Sequence, residues 1–143
     1  EKSANKNVRY AVCDRFLHFW FRYVYKYDFV LEAGANNKLM QIVANDYTTY
    51  SGKVLEEYFM SKMRESEDFT RLGYWEDRNG HNEIDIIASD DINRDVLFYE
   101  VKRQASDIDL AILKSKADVF LRSTKNGYAS YRKSYLGLSL ADM

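Results

Sequence analysis

Apolar residues recur with two different periods along this chain, and the change of period divides it. Residues 8–27 form an aromatic block, VRYAVCDRFLHFWFRYVYKY, in which positions 16, 17, 20, 21 and 24 follow helical spacing and Asp14 is placed to cap the helix. Residues 32–38, EAGANNK, read as a loop. From 41 to 64, Tyr47, Tyr50, Val54 and Tyr58, with Leu55, Phe59 and Met63 beside them, predict one long helix. After the polar break at 65–68 the apolar residues cluster in short strand-like runs. Strands are expected at 69–75, 83–88 and 96–101, the first two joined by a hairpin turn at 76–80, where Asn79-Gly80 tolerates positive φ. Helical spacing returns at 106–121, with Ser106 or Asp107 as the cap. The tail predicts a strand near 135–140 and a second at 128–131. Helix, helix, three strands, helix, then one or two strands is an α/β order with a mixed sheet.

Composition narrows the class. With 143 residues, 2 Trp, 12 Tyr and 8 Phe, the chain can build a core, so neither disorder nor a fibre fits. No apolar run approaches ~18 residues, so a membrane-spanning helix is not expected. A single cysteine, Cys13, excludes an intramolecular disulfide framework and suits the reducing cytoplasm. The chain opens Glu1-Lys2-Ser3 without Met and without a charged segment leading into an apolar one, so a portion of a longer cytoplasmic protein is expected. Net charge is −1, but it is unevenly spread: +3 over residues 1–53, −8 over 54–100 and +4 over 101–143. An acidic centre between basic ends could place a cation site beside a phosphate-binding surface. Charges scattered over solvated faces give the same totals.

The candidate chemistry lies in the strands. Asp85 stands among Ile84, Ile86 and Ile87, and Glu100 follows Leu97, Phe98 and Tyr99. Carboxylates in such apolar surroundings are costly unless paired or metal-bound. Glu100 and Lys102 share a strand face with Val101 opposite, and two carboxylates on neighbouring strands repel one another unless a cation lies between them. Hard oxygen ligands select Mg²⁺ or Mn²⁺ over zinc, and the two histidines, His18 and His81, have no partner at zinc spacing. The long helix adds Glu56 and Glu57, one turn beyond Gly52, whose missing side chain would permit a close approach. Solvated helix surface is the simpler account of both glutamates.

Five segments in order carry a more specific signal. They are Asp14-x-Phe16-Leu17-x-Phe19-Trp20-Phe21-Arg22-Tyr23-Val24, Tyr50-x-Gly52-x-x-Leu55-Glu56, Gly73-Tyr74-Trp75-x-x-Arg78, Glu83-Ile84-Asp85-Ile86-Ile87-Ala88 and Glu100-Val101-Lys102. Over residues 8–121 this pattern resembles the C-terminal domain of unknown function of archaeal-type AAA ATPases, and its acids resemble the core of the PD-(D/E)XK superfamily. The resemblance implies a restriction-endonuclease-like mixed β-sheet core flanked by helices at 41–143, with an N-terminal aromatic helical extension at 1–40. It implies a Mg²⁺ (or Mn²⁺) site with Glu56, Asp85 and Glu100 as acids and the Val101 carbonyl as a further ligand. Lys102 would orient the attacking water and stabilise the transition state, so Glu56, Asp85, Glu100 and Lys102 are the implied catalytic set. Glu83 would be a peripheral ligand or only part of the motif. The implied partners are DNA and an ATPase and winged-helix portion preceding this one. The chain has no phosphate-binding loop of its own. It departs from the pattern in having Ile84 where a Pro often precedes the strand acid, and Arg103 where an aromatic often follows the lysine.

Three function classes follow: a Mg²⁺-dependent nuclease, a catalytically silent DNA- or protein-binding module of the ATPase, and a homo-oligomerisation domain using the aromatic block. The basic residues Lys102, Arg103, Lys114, Lys116, Arg122, Lys125, Arg132 and Lys133 could contact phosphates. Tyr128, Tyr131 and Tyr135 could stack on bases, though packing is the simpler role.

Overall fold

The computed structural model describes residues 14–123 and 127–143, which fall into two compact units divided between Thr48 and Thr49, inside one long helix. Residues 8–13 of the aromatic block and Lys125 of the basic tail lie outside the described residues.

In the first unit Asp14 caps α1 (Arg15–Phe19), its Oδ1 accepting the Leu17 N–H at 2.8 Å. The chain continues through a π turn at Trp20–Val24 and a 3₁₀ turn at Tyr25–Tyr27 into α2 (Asp28–Glu32). Gly34, at φ +68°, closes α2: its N–H donates to the Leu31 carbonyl and the next N–H, of Ala35, to Val30. These are the two bonds of a Schellman motif, which needs the left-handed residue that glycine supplies without strain. The connection to the next helix is therefore three residues long. The long helix α3 (Asn36–Ser66) starts five residues before the expected position, and the expected loop at 32–38 shrinks to 33–35. Tyr23 is buried, and its hydroxyl donates to Asp46.

The second unit is a mixed α/β layer structure. Its four strands, β1 (Arg71–Glu76), β2 (Glu83–Asp90), β3 (Asp95–Val101) and β4 (Arg132–Leu138), lie in the order β1-β2-β3-β4. The first two pairings are antiparallel and β3–β4 is parallel. The parallel pair needs a crossover, which α4 (Leu110–Ser123) provides. One sheet face packs Ile84, Ile87, Val96 and Phe98 against Leu113, Ala117 and Phe120 of α4. The other packs Ile86, Ala88, Tyr99 and Val101 against Leu55 and Phe59 of α3. A sheet covered on both faces explains why β2 and β3 read as nearly continuous apolar runs.

Three local expectations need correction. Asp109, rather than Ser106 or Asp107, caps α4, with its Oδ1 accepting the N–H groups of Ala111 and Ile112 at 2.9 and 3.0 Å. Residues 128–130 form a 3₁₀ turn rather than a strand, and Tyr128, Tyr131 and Tyr135 pack against the α4-side core, Tyr135 stacked on Phe98. Gly52 meets no close approach: a Cβ built there would have no heavy atom within 4 Å among the described residues. The β1–β2 turn does contain the Asn-Gly, with Gly80 at φ +68°. Its organiser is Asp77, whose carboxylate accepts the N–H groups of Asn79, His81 and Asn82.

Candidate functional site

The site begins with an irregularity in β2. Gly73 pairs with Ile87 and Trp75 with Ile84, so two residues of β2, Asp85 and Ile86, oppose the single Tyr74 of β1. This is a β-bulge, and it resets the alternation. Ile84 and Ile87, three apart, both join the α4-side core, while Ile86 and Ala88 join the α3 side. Asp85 is thereby aimed away from the α4 core. One of its oxygens accepts the Val101 N–H at 2.7 Å, bridging the ends of β2 and β3.

On the α3 side, Glu56, Glu83 and Asp85 line one open cleft of about 410 Å³ together with Lys53, Glu57 and Glu76. Glu57, the alternative to Glu56, also faces this cleft, but it is exposed where Glu56 is partly buried. Burial, followed by the charges of Asp85 and Glu83, pushes the Glu56 carboxyl up to about 7. Burial also raises Asp85, against the opposing effects of the Val101 N–H and the lysines 102 and 116.

Glu100 lies elsewhere. It continues the series of Val96 and Phe98 toward α4 and is only 5% exposed. Its Oε2 accepts the Asp109 N–H at 3.0 Å, and its Oε1 sits 3.3 Å from Lys102 Nζ and 3.8 Å from Lys116 Nζ. The four signature side chains thus converge on the splayed ends of β2 and β3 from two faces, with Asp85 and Glu56 on the α3 side and Glu100 on the α4 side. Regular alternation along both strands would put Asp85 on the face of Glu100, but the bulge shifts β2 and not β3, so the two lie on opposite faces. Lys102, just beyond β3, carries its charge to both groups, acting on Glu56 and Asp85 as well as pairing with Glu100. Its N–H donates to the Leu138 carbonyl of β4, which holds the strand end in place.

Two contributors go beyond the sequence reading, which named Lys116 only among the basic residues able to contact phosphates and did not name Gly137. Lys116 could be found from its position: it lies between Leu113 and Ala117 on the half-buried border of the α4 stripe, where a cation needs an anion. Gly137 pairs with Glu100 in register, and a Cβ there would come within 2.5 Å of the Ile108 side chain. Its missing side chain lets the segment before α4 approach the sheet, which brings the Asp109 N–H to Glu100. Nothing in a one-dimensional pattern marks that glycine. Of the basic tail, Arg132 is committed to a two-pronged pair with Asp95.

The oxygen donors of the cleft are of the hard type that Mg²⁺ and Mn²⁺ favour. Among the described residues, no three acidic, histidine or cysteine side chains already form a metal-binding group. Mg²⁺ is commonly held by one or two carboxylates with water and substrate phosphate completing its shell, so Asp85 and Glu56 suffice as protein donors. Two partly buried acids whose carboxyls are both raised, Glu56 in part by the charge of Asp85, are the feature that fits a cation.

Among the described residues no helix is long and apolar enough to cross a membrane. No solved structure matches the chain. An uncharacterized protein of Methanocaldococcus jannaschii is 32% identical over 94% of the chain, and the chain spans 31% of that relative's length. A family model, DUF234, described as "Archaea bacterial proteins of unknown function", matches residues 20–117. That stretch holds the capping turns of the first unit, α3, the bulged strand and the Glu100–Lys102 segment, and by it the chain belongs to the DUF234 family.

Proposed function

We propose that this chain is a restriction-endonuclease-like, PD-(D/E)XK domain of a prokaryotic AAA-type ATPase, binding DNA and hydrolysing phosphodiesters with Mg²⁺. The observation that carries the reading is the bulge that turns Asp85 onto the Val101 N–H, beside Glu56 and one strand-end away from Glu100 and Lys102. Asp85 and Glu56, with the Val101 carbonyl, would hold the metal, which supplies charge for the phosphoryl oxygen and acidifies a water. Asp85 is oriented by its backbone hydrogen bond. Lys102 stands where it can leave Glu100, hold the attacking water and meet the charge that develops on the phosphate. Buried Glu100 keeps that ammonium in position between turnovers.

The test is plasmid nicking with Mg²⁺ or Mn²⁺. Wild type should nick and Lys102→Ala should not, with its circular dichroism spectrum unchanged. Identical traces for both proteins would refute hydrolysis by this domain. One observation favours a second reading, a silent DNA-binding module: Glu100 is already satisfied by one N–H and two lysines and so is not poised as a metal ligand. Metal and DNA binding without nicking, unchanged when the ATPase portion is restored, would select it.

A further inference from the structure

We propose that Lys116 of α4 is a second phosphate-contacting residue of this site, gripping the DNA backbone jointly with Lys102. The inference rests on the DNA-binding reading above and deepens it. Glu100 Oε1 faces two ammonium groups, Lys102 Nζ at 3.3 Å and Lys116 Nζ at 3.8 Å, while its other oxygen is occupied by the Asp109 N–H. One carboxylate thus brings two ammonium groups together. Neither is sealed in: Lys102 is 38% exposed and Lys116 23%. Both also act on Asp85, so the two ammonium groups lie next to the proposed metal-binding acid rather than on a remote helix face.

Geometry fixes where Lys116 can reach. Asp109 and Lys116 are seven residues apart, two helical turns, and therefore lie on the same side of α4. The Asp109 N–H binds Glu100 at one end of that side and Lys116 approaches the same carboxylate from the other, so α4 is registered against the end of β3. The Lys114 side chain, on the exposed face of α4, lacks this arrangement. An anion that matches two ammonium groups beside a cation-seeking acid is a phosphodiester with its counter-cation.

The experiment measures binding of a short fluorescent DNA duplex to the protein, in Ca²⁺ and again in EDTA, across a salt series. Wild type is compared with Lys116→Met, Lys116→Gln, Lys116→Arg and Lys114→Met. Removing the Lys116 charge should weaken binding several-fold at low salt and reduce the log–log salt slope by about 1, and Lys116→Arg should restore both. Gln keeps a polar end toward Glu100 without the charge, so a purely structural role would leave its slope unchanged, and it serves as the test variant if Lys116→Met does not fold. A wild-type slope in Lys116→Gln, or equal losses in Lys114→Met, would overturn the assignment of Lys116 while leaving DNA binding intact. Absence of binding by wild type at every salt concentration would overturn the DNA-binding reading itself, and this inference with it.

Discussion

Helix α3 carries two acids ten residues apart whose surroundings drive them in opposite directions. Asp46, in the first unit, receives Arg22 through two hydrogen bonds of 2.6 and 2.8 Å and the Tyr23 hydroxyl as well. Those hydrogen bonds, led by that of Arg22, hold it down to about 2. Glu56, in the second unit, meets burial first and then the like charges of Asp85 and Glu83, against the opposing Lys53 and Lys102, and rises to about 7. The same residue class on the same helix is in one case completed by the protein and in the other left short of positive charge. A completed carboxylate is structural. One whose deficit faces an open cleft is available for a cation or a proton, which is why strongly displaced groups in clefts are sought as functional sites.

The largest effect should come from removing the charge that creates the deficit. Asp85→Asn is expected to abolish Mn²⁺ binding by calorimetry and to lower any nicking rate by about 10²–10³-fold, the scale of losing a main transition-state contact. The same change removes the strongest like charge from Glu56 and should bring its carboxyl back toward 4.5, observable as a shift in its NMR titration. If Glu56 still titrated near 7, its displacement would come from burial and Glu83, and the contrast with Asp46 would not rest on Asp85.

Glu56 itself offers an effect on stability. Its folded value of about 7 lies above the ordinary 4.5, so its contribution is fully present below about 4.5 and is lost as pH rises through 7. Metal-free wild type should therefore weaken over that window relative to Glu56→Gln, by on the order of 2 kcal/mol at pH 8 after allowing for partial exposure. Saturating Mn²⁺ should erase the difference in wild type and leave Glu56→Gln unmoved. Parallel denaturant titrations of the two proteins at pH 5 and 8 make the comparison. A difference that does not change with pH would mean that Glu56 is not a strained carboxylate.

A third acid is controlled from β4. Gly137→Ala drives a Cβ into Ile108, and crowding of this kind costs typically about 1–3 kcal/mol. Ile108 immediately precedes Asp109, so the displacement should also loosen the N–H bond to Glu100 without touching Asp46 or Glu56. Faster hydrogen exchange at the Asp109 amide, with exchange in the first unit unaltered, is the expected signature. Unchanged exchange would show that Ile108 yields without moving the cap.

Much of this was legible from residue order because burial leaves a periodic trace. The Asp14 cap, α3, three of the strands and the Asn-Gly turn all follow from spacing. What spacing could not give is any feature made by an exception to period. The bulge at Asp85–Ile86 shifts one strand by one residue, so Asp85 and Glu100 approach from opposite faces although each is in a regular apolar run. The early start of α3 depends on two hydrogen bonds at Gly34. The cap at Asp109 was missed because three acceptors, Ser106, Asp107 and Asp109, compete within four residues, and the choice falls to the one whose own N–H is fixed by Glu100. Asp46 was passed over altogether, since a lone aspartate in a helix gives no sign that an arginine and a tyrosine twenty-odd residues earlier will meet it.

The smallest effect expected is at Asp46, and it has the opposite sign to that at Glu56. Its folded value of about 2 lies below the ordinary 3.8, so the stabilisation is present above about 3.8 and disappears as pH falls through 2. Asp46→Asn keeps the shape but not the charge, so wild type should exceed it in stability at pH 6, and the two should converge toward pH 2. The group is solvent-facing enough for salt to screen part of the effect, so the gap at pH 6 should narrow with added salt without closing, because two direct hydrogen bonds from Arg22 remain. Melting curves of wild type and Asp46→Asn between pH 6 and 2.5, at low and high salt, measure both dependences. A gap that widened on acidification would reverse the assignment and make Asp46, like Glu56, an acid that the fold leaves in need of a partner.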